Sequence, residues 1–423
     1  MSHYAVVAPP LYSHWQALQA LAQALIKRGH QVTFIHQAEA SSLLSDPRIA
    51  FQAVGQDSHP PGSLAHTLKL AASPAGFSLF ALIKDMSRAT DMLCRELPKV
   101  LKELRVDGLI VDQMEAAGGL VAEGLGLPFV SVACALPVNR EQGIPLPVMS
   151  FGYGTDHRAQ KLFRTSQRIY DWMMRGHGRV IARHAERFGL SARTGLHECL
   201  SPLAQISQTV PALDFPRRAL PAHFYQVGPL RPSVTEQRFW PLISSRPFVF
   251  ASLGTLQGHR FRLFKTIARA CRRLHVQLLI AHCGGLSAKQ AAQLEACGAY
   301  WVTDFADQPS VLQQAQAVIT HGGLNTVADA VSSSTPILAV PIAFDQPGVA
   351  SRVVWNGLGR RVSRFASSKT MAKNLAALLR DDCYRTKMTE AQHQLSQAGG
   401  AQKAADIVEQ AIASHSTRIK ATG

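Results

Sequence analysis

The apolar positions change period along the chain, and each change predicts an element. Tyr4 to Ala8 is a short apolar run stopped by Pro9 and Pro10, which reads as a buried strand. From His14 to Arg28 the apolar residues recur at helical spacing, and Gly29 closes the pattern. Gln31 to His36 is a second strand. Strand, helix and strand within the first 36 residues predict a doubly wound α/β unit. The alternation continues through a helix over 86–105, a strand over 108–111 ending at Asp112, a helix over 118–124 and a strand over 128–133. A long helical stretch follows, from His157 to Phe188. Gly228 and Pro229 then interrupt the chain, and with Pro232 and Pro241 they mark a connector at 229–245. A second unit opens with the strand Phe248 to Ser252, then a helix over 261–274 and strands over 276–281 and 300–303. Two α/β domains are expected, 1–228 and 246–423, with no sequence repeat between them. A last helix over about 402–414 is expected to cross back onto the first.

The stretch from Ala317 to Gln346 carries the chemistry. Ala317 to Thr320 reads as a buried strand, His321-Gly322-Gly323 as a turn, and a helix starts at Leu324. Two glycines at such a turn let backbone approach a ligand, and a helix start offers unpaired N–H groups and partial positive charge to a phosphate. Asn325 and Thr326 lie in the first turn. Asp329 shares their face, where a carboxylate suits the vicinal hydroxyls of a ribose. Pro336 to Val340 is the next strand, and it delivers Asp345 and Gln346, a pair suited to sugar hydroxyls. Both loops follow carboxyl ends of parallel strands and so face one crevice. A plain βαβ unit whose glycines only make a turn is the simpler reading, but the convergence of these polar residues favours a site.

Composition narrows the classes. Hydrophobic residues make up 47% and charged ones 17% of 423, which is enough for sizeable cores and unlike a disordered chain. The net charge of +16 leaves nucleic acid, an anionic membrane or mere solubility open. Seven scattered cysteines, with no CxxC pair, read as reduced thiols of a cytosolic protein. MSHYAVVAPP lacks the marks of a signal peptide, and no apolar run reaches transmembrane length. Between His157 and Phe188, eight Lys/Arg and two Asp/Glu are interleaved with apolar residues such as Leu162, Ile169 and Trp172. This segment either touches anionic lipid and admits a lipophilic ligand, or packs its apolar face on the domain.

The motifs resemble those of the UDP-dependent glycosyltransferases with the GT-B fold, two facing Rossmann-like domains with a cleft between them. The pattern H-G-G-x-N-S, an acid four residues after the Asn, and P-x-x-x-D-Q stands here as His321, Gly322, Gly323, Asn325, Thr326, Asp329, Pro341, Asp345 and Gln346. The upstream W-x-P-Q segment stands as Phe305, Ala306, Asp307 and Gln308, and S-x-G-S/T as Ser252, Gly254 and Thr255. Phe305 offers uracil a smaller ring than the usual Trp. Ser334 and Val349 replace a usual Gly and Asn. Within the family the chain is most similar to the bacterial branch that glucosylates the carotenoid zeaxanthin.

The resemblance implies an inverting transfer of glucose from UDP-glucose to a hydrophobic hydroxylated acceptor, zeaxanthin, giving mono- and then diglucosides. The donor site would comprise Ser252, Thr255, Phe305, Ala306, Gln308, His321, Gly323, Asn325, Thr326, Asp329, Asp345 and Gln346. Neither a metal nor a cofactor is expected: the helix start and His321 stand where a cation would, and there is no D-x-D sequence. His14 is the candidate base, matching the family's G-H-x-x-P turn, although Ser13 and Ala17 replace its Gly and Pro. The helix start is expected to keep its imidazole neutral. Asp112, at another strand end, is the candidate orienter, with Asp107 as competitor. The expected location is the cytoplasm, peripheral on the inner face of the cell membrane. Two other readings remain: a sugar-nucleotide epimerase on the same fold, and a nucleic-acid-binding protein prompted only by charge. The latter lacks a stacking platform or recognition helix.

Overall fold

A computed structural model of the chain describes residues 1–232 and 239–422, so that residues 233–238 of the expected connector lie outside the described residues. Seven strands, all parallel, form the first sheet: β1 (His3–Val7), β2 (Gln31–Gln37), β3 (Ala50–Val54), β4 (Gly108–Asp112), β5 (Phe129–Ala133), β6 (Gln205–Ser207) and β7 (Phe224–Gln226), in the order β3-β2-β1-β4-β5-β6-β7. The helices between them are α1 (Tyr12–Lys27), α2 (Ser63–Ala72), α3 (Phe77–Leu104), α4 (Ala116–Gly124) and α5 (His157–Arg187). The second sheet has six parallel strands: β8 (Phe248–Ser252), β9 (Gln277–Ala281), β10 (Trp301–Thr303), β11 (Ala317–Thr320), β12 (Ile337–Ala339) and β13 (Gly359–Arg361), in the order β10-β9-β8-β11-β12-β13. Its helices are α6 (Gly254–Gln257), α7 (Phe261–Arg273), α8 (Ala288–Cys297), α9 (Gln308–Gln314), α10 (Leu324–Ser332), α11 (Gln346–Trp355), α12 (Ser368–Arg380), α13 (Asp382–Gln397) and α14 (Gly400–Thr422).

Both sheets are buried on two faces, as parallel strands require. In the first, Val6, Phe34 and Ile110 pack with Trp15 and Leu18 of α1, while Ala5, Ile35 and Val111 face α3 and α4. Burying a ring such as Phe34 contributes roughly 1.5–3 kcal/mol. In the second, α10, α11 and α13 cover one face, and α7, α8 and α12 the other. The terminal helix α14 leaves its own sheet. Ala404, Ala405, Val408 and Ile412 enter the core beneath β1 and α1, and Glu409 accepts from Arg28 (2.5 Å) and pairs with His30 (2.7 Å). A buried ion pair, Arg352 to Asp214 at 2.6 Å, ties α11 to the first half of the chain.

The order of each sheet reverses at one place, between β1 and β4 and between β8 and β11. A crevice opens at such a switch point, outside the carboxyl ends of the strands. Val7 pairs with Val111 there, and Thr320 with Ser252. The sequence-predicted residues His14, Asp112, Ser252 and His321 all leave their sheets at these two points.

Candidate active site

In the first half, Pro9 and Pro10 turn the chain from β1 into α1, and His14 sits in the first turn of that helix, buried. Its Nδ1 lies 2.7 Å from Oδ2 of Asp112, the last residue of β4, which is fully buried. The other carboxylate oxygen of Asp112 accepts from the backbone N–H of Met114 at 2.8 Å. Asp112 therefore fixes the ring and leaves Nε2 without a protein partner among the described residues. Burial disfavours the imidazolium. The charge and hydrogen bond of Asp112, with a further influence from Asp345, outweigh it, so the pKa of His14 is raised above 6.5. This corrects the expectation drawn from the helix start alone: the carboxylate, at hydrogen-bond distance, decides the sign. Asp107 is no competitor. It stands just before β4, at the opposite end of the strand, and accepts from the backbone N–H of His3 at 2.7 Å. The Cys134 thiol also abuts Asp112, and burial, then that charge, raise its pKa well above the usual thiol value. His14, Asp112 and Cys134 are the one group among the described residues whose potential metal-ligating atoms gather within 4.8 Å.

In the second half, the turns after β8 and β11 close over one imidazole. A side chain at Gly254 would stand 2.7 Å from the His321 ring, and one at Gly323 would stand 2.6 Å from its Nε2. Glycine is therefore required at both positions, and at Gly254 also by its φ of +71°. Burial pushes the pKa of His321 down to about 4, against a hydrogen bond with the Ser252 backbone, so the ring is neutral near pH 7. The start of α10 carries no side-chain cap, which leaves its N–H groups open toward the cavity.

The other donor-site candidates divide into those left open and those already engaged. Thr255, Phe305 (67% exposed) and Ala306 line the cavity. Ser252 accepts from the Gly254 N–H at 3.3 Å. Thr326 donates to Gln308 (3.3 Å), and Gln308 donates to Asp329 (2.6 Å). Asn325 lines the cavity but is already engaged: its Nδ2 donates to the Ser13 carbonyl (3.0 Å) and its Oδ1 accepts from Gln208 (3.1 Å), clasping the two halves. Gln346 spends its carbonyl oxygen on the N–H groups of Ile342 (2.9 Å) and Ala343 (2.8 Å), keeping only its amide N–H groups for a ligand. Asp345 accepts from the Leu136 N–H across the cleft at 3.2 Å. Burial raises its pKa, against that bond and the pull of His14.

One continuous cavity of about 1220 Å³ joins these groups. It runs from Phe305 and α10, past Asp345 and His14, into a wing between α3 and α5 lined by Leu82, Met86, Ala89, Tyr170 and Met174. Two features there escaped the sequence reading. Thr90 bridges Glu115 (2.8 Å) and His177 (3.0 Å) in the wing, and burial pushes the Glu115 carboxyl up to about 7 and His177 down to about 4. Arg231, just past the Gly228-Pro229 break, donates to Asp329 at 2.9 Å. Its place after a Gly-Pro pair marked it as linker, and no local pattern pointed to a partner 98 residues away.

Comparison with known proteins gives a consistent answer. The family model described as UDP-glucoronosyl and UDP-glucosyl transferase matches residues 189–395. The zeaxanthin glucosyltransferase of Pantoea ananas is 55% identical, over 100% of this chain and 99% of its own. That of Pseudescherichia vulneris is 54% identical, over 98% of each. Among solved structures, the calicheamicin glycosyltransferase CalG4 superposes with a TM-score of 0.75 at 19% identity, covering 98% of each chain. Neither the epimerase nor the nucleic-acid reading is favoured by these matches. With two parallel-sheet domains of GT-B type, and with 55% and 54% identity to curated transferases along the whole chain, the chain belongs to the UDP-glycosyltransferase family and is a UDP-dependent glycosyltransferase similar to the zeaxanthin glucosyltransferases.

Proposed function

We propose that this enzyme transfers glucose from UDP-glucose to a hydroxyl of zeaxanthin with inversion, giving the β-glucoside and, by repetition at the other end, the diglucoside. His14 Nε2 removes the hydroxyl proton as the oxygen attacks the anomeric carbon. The bond from that carbon to the UDP oxygen breaks, and its electron pair leaves on the diphosphate. Asp112 holds the ring and stabilises the imidazolium as it forms. The start of α10, Thr255 and neutral His321 supply fixed donors to the diphosphate, so neither metal nor cofactor takes part. Asp345 and the amide of Gln346 hold the sugar, and Phe305 stacks on the uracil. The observation that carries this reading is the single cavity in which His14 and Asp345 face each other between an apolar wing and the open start of α10. The zeaxanthin glucosyltransferases at 55% and 54% identity support the acceptor.

The acceptor is lipophilic, and the same wing points to where it is met. Leu162, Ile169 and Trp172 of α5 are 47%, 54% and 57% exposed, among exposed basic residues such as Arg158, Lys161, Arg164 and Arg168. The exposed apolar part of the segment thus fits a lipid surface, whereas Phe163 and Ile181 pack inward. We infer a cytoplasmic enzyme docked peripherally on anionic membrane through α5. No described helix is long and apolar enough to cross a membrane. Mass analysis of carotenoids incubated with enzyme and either UDP-glucose or UDP-galactose tests the function. Addition of one and then two hexoses with UDP-glucose is expected. Sugar interconversion without transfer would overturn it.

A further inference from the structure

The donor half of the cavity has an uneven charge inventory. Four arginines and no lysine line the cavity among the described residues. Arg140, Arg175 and Arg179 belong to the first half, on or before α5. Of these four, only Arg231 stands against the donor elements. His321 is neutral near pH 7, and Asp329 places a carboxylate one helical turn from the start of α10. A multiply charged diphosphate at that helix start therefore meets a nearby anion and, among the described residues that line that half of the cavity, no arginine or lysine other than Arg231.

Arg231 is built into this place. Its Nε donates to Asp329 (2.9 Å) and its Nη2 to the carbonyl of Asn325 (3.0 Å), which lies in the first turn of α10. Its Nη1 donates to the Leu230 carbonyl (2.9 Å) and approaches the Gln208 side chain (3.4 Å). Four bonds engage a group that carries five N–H donors. The fork spans α10 from the Asn325 carbonyl to Asp329, whose other carboxylate oxygen accepts from Gln308 of α9. Its charge also reaches the Cys134 thiol on the opposite lip, beside Asp112.

We propose that Arg231 is the cation of the donor site: it neutralises Asp329 and supplies the positive charge that the diphosphate needs before and after the glycosidic bond breaks. This rests on the reading of the α10 start as the diphosphate site. It adds a residue from the connector, outside the strand-end motifs. Because Arg231 also touches Gln208 at the end of β6 and the first turn of α10, binding of the diphosphate draws on a contact between the two halves.

The test compares UDP with uridine, which shares base and ribose but has no phosphate. Calorimetric binding of both ligands is measured for the full-length enzyme and for Arg231→Gln, Arg231→Lys, and Arg231→Gln combined with Asp329→Asn. Arg231→Gln should weaken UDP by about 10- to 100-fold, that is about 1.4–2.8 kcal/mol, and leave uridine near wild type. Arg231→Lys should retain much of the UDP affinity. Removing the Asp329 charge in the double variant should restore part of what Arg231→Gln loses. Equal losses for UDP and uridine, together with a lowered melting temperature, would make Arg231 a mere fastener of the connector and overturn the proposal, as would unchanged UDP affinity. Failure of the wild type to bind UDP more tightly than uridine would instead overturn the α10 reading on which the proposal rests.

Discussion

Replacing Asp112 by Asn keeps the shape of the side chain and an oxygen for the Met114 N–H, and removes the charge beside His14. That charge is 2.7 Å from Nδ1 and has no solvent to screen it. A hydrogen bond to an ionised partner contributes about 1.5–3 kcal/mol. The imidazolium forms only as the acceptor proton is taken, so the loss falls on the transition state and lowers turnover by roughly 10- to 150-fold. His14→Ala removes the base itself and should cost about 10²–10⁴-fold. If the pair acts as a unit, the double variant is little worse than His14→Ala. The pH profile gives a second readout. The base must be neutral, and its pKa is raised above 6.5, so wild-type turnover climbs as pH rises through a value above 6.5. In Asp112→Asn the burial of His14 remains while its strongest raising influence is gone, so the rising limb moves toward acid. The stability change has the matching sign. A raised folded pKa stabilises fully below the unfolded value, and that contribution is lost as pH rises through the folded one. The variant should therefore be destabilised more at acid than at alkaline pH. Initial rates with UDP-glucose and micellar zeaxanthin across pH, with UDP binding as control, test this. A rising limb that does not move, or wild-type turnover, would refute the role of Asp112.

Three further outcomes follow from the same geometry. Activity should persist in excess EDTA, and a loss restored only by added Mg²⁺ or Mn²⁺ would contradict the metal-free site. Asp345→Ala should lower sugar transfer well beyond its effect on UDP binding, because Asp345, in the loop after β12, reaches across the cleft to Leu136 rather than to the start of α10; equal losses in rate and UDP affinity would count against that division. Sedimentation with anionic liposomes should fall as salt rises, since each basic residue near such a surface contributes about 1 kcal/mol, screened by ions, while equal binding to neutral vesicles would remove the electrostatic part.

The sequence was most legible where structure is local. β8 and β11 match the predicted strands at both ends, because short apolar runs between turn residues define buried parallel strands. The switch-point residues were legible for the same reason: Asp112 and Ser252 end strands, His321 directly follows one, and His14 opens the helix after another. The half-exposed edge strand β3 and the short helix α2 carry weaker patterns and were not read. α3 begins at Phe77, upstream of the expected Met86, because Phe77 and Phe80 point outward at 94% and 50% exposure and spoil the amphipathic period. What the sequence could not yield is pairing across the cleft. Arg231 with Asp329, Asn325 with Ser13 and Asp345 with Leu136 join residues far apart in the chain. The pairing of His14 with Asp112 was read, but the raised pKa of His14 was not, since its sign depends on how close the two stand, 2.7 Å.

The central claim is a single displacement between facing lips of one cavity, with His14 on one and the diphosphate site on the other. The most direct measurement is the anomeric configuration of the glucoside formed from UDP-α-glucose and zeaxanthin, read by proton NMR of the isolated product. The account predicts a β-glucoside, formed by wild type and by His14→Ala only in the ratio of their rates. An α-glucoside would contradict it, because retention requires either a second displacement or attack from the side that UDP leaves.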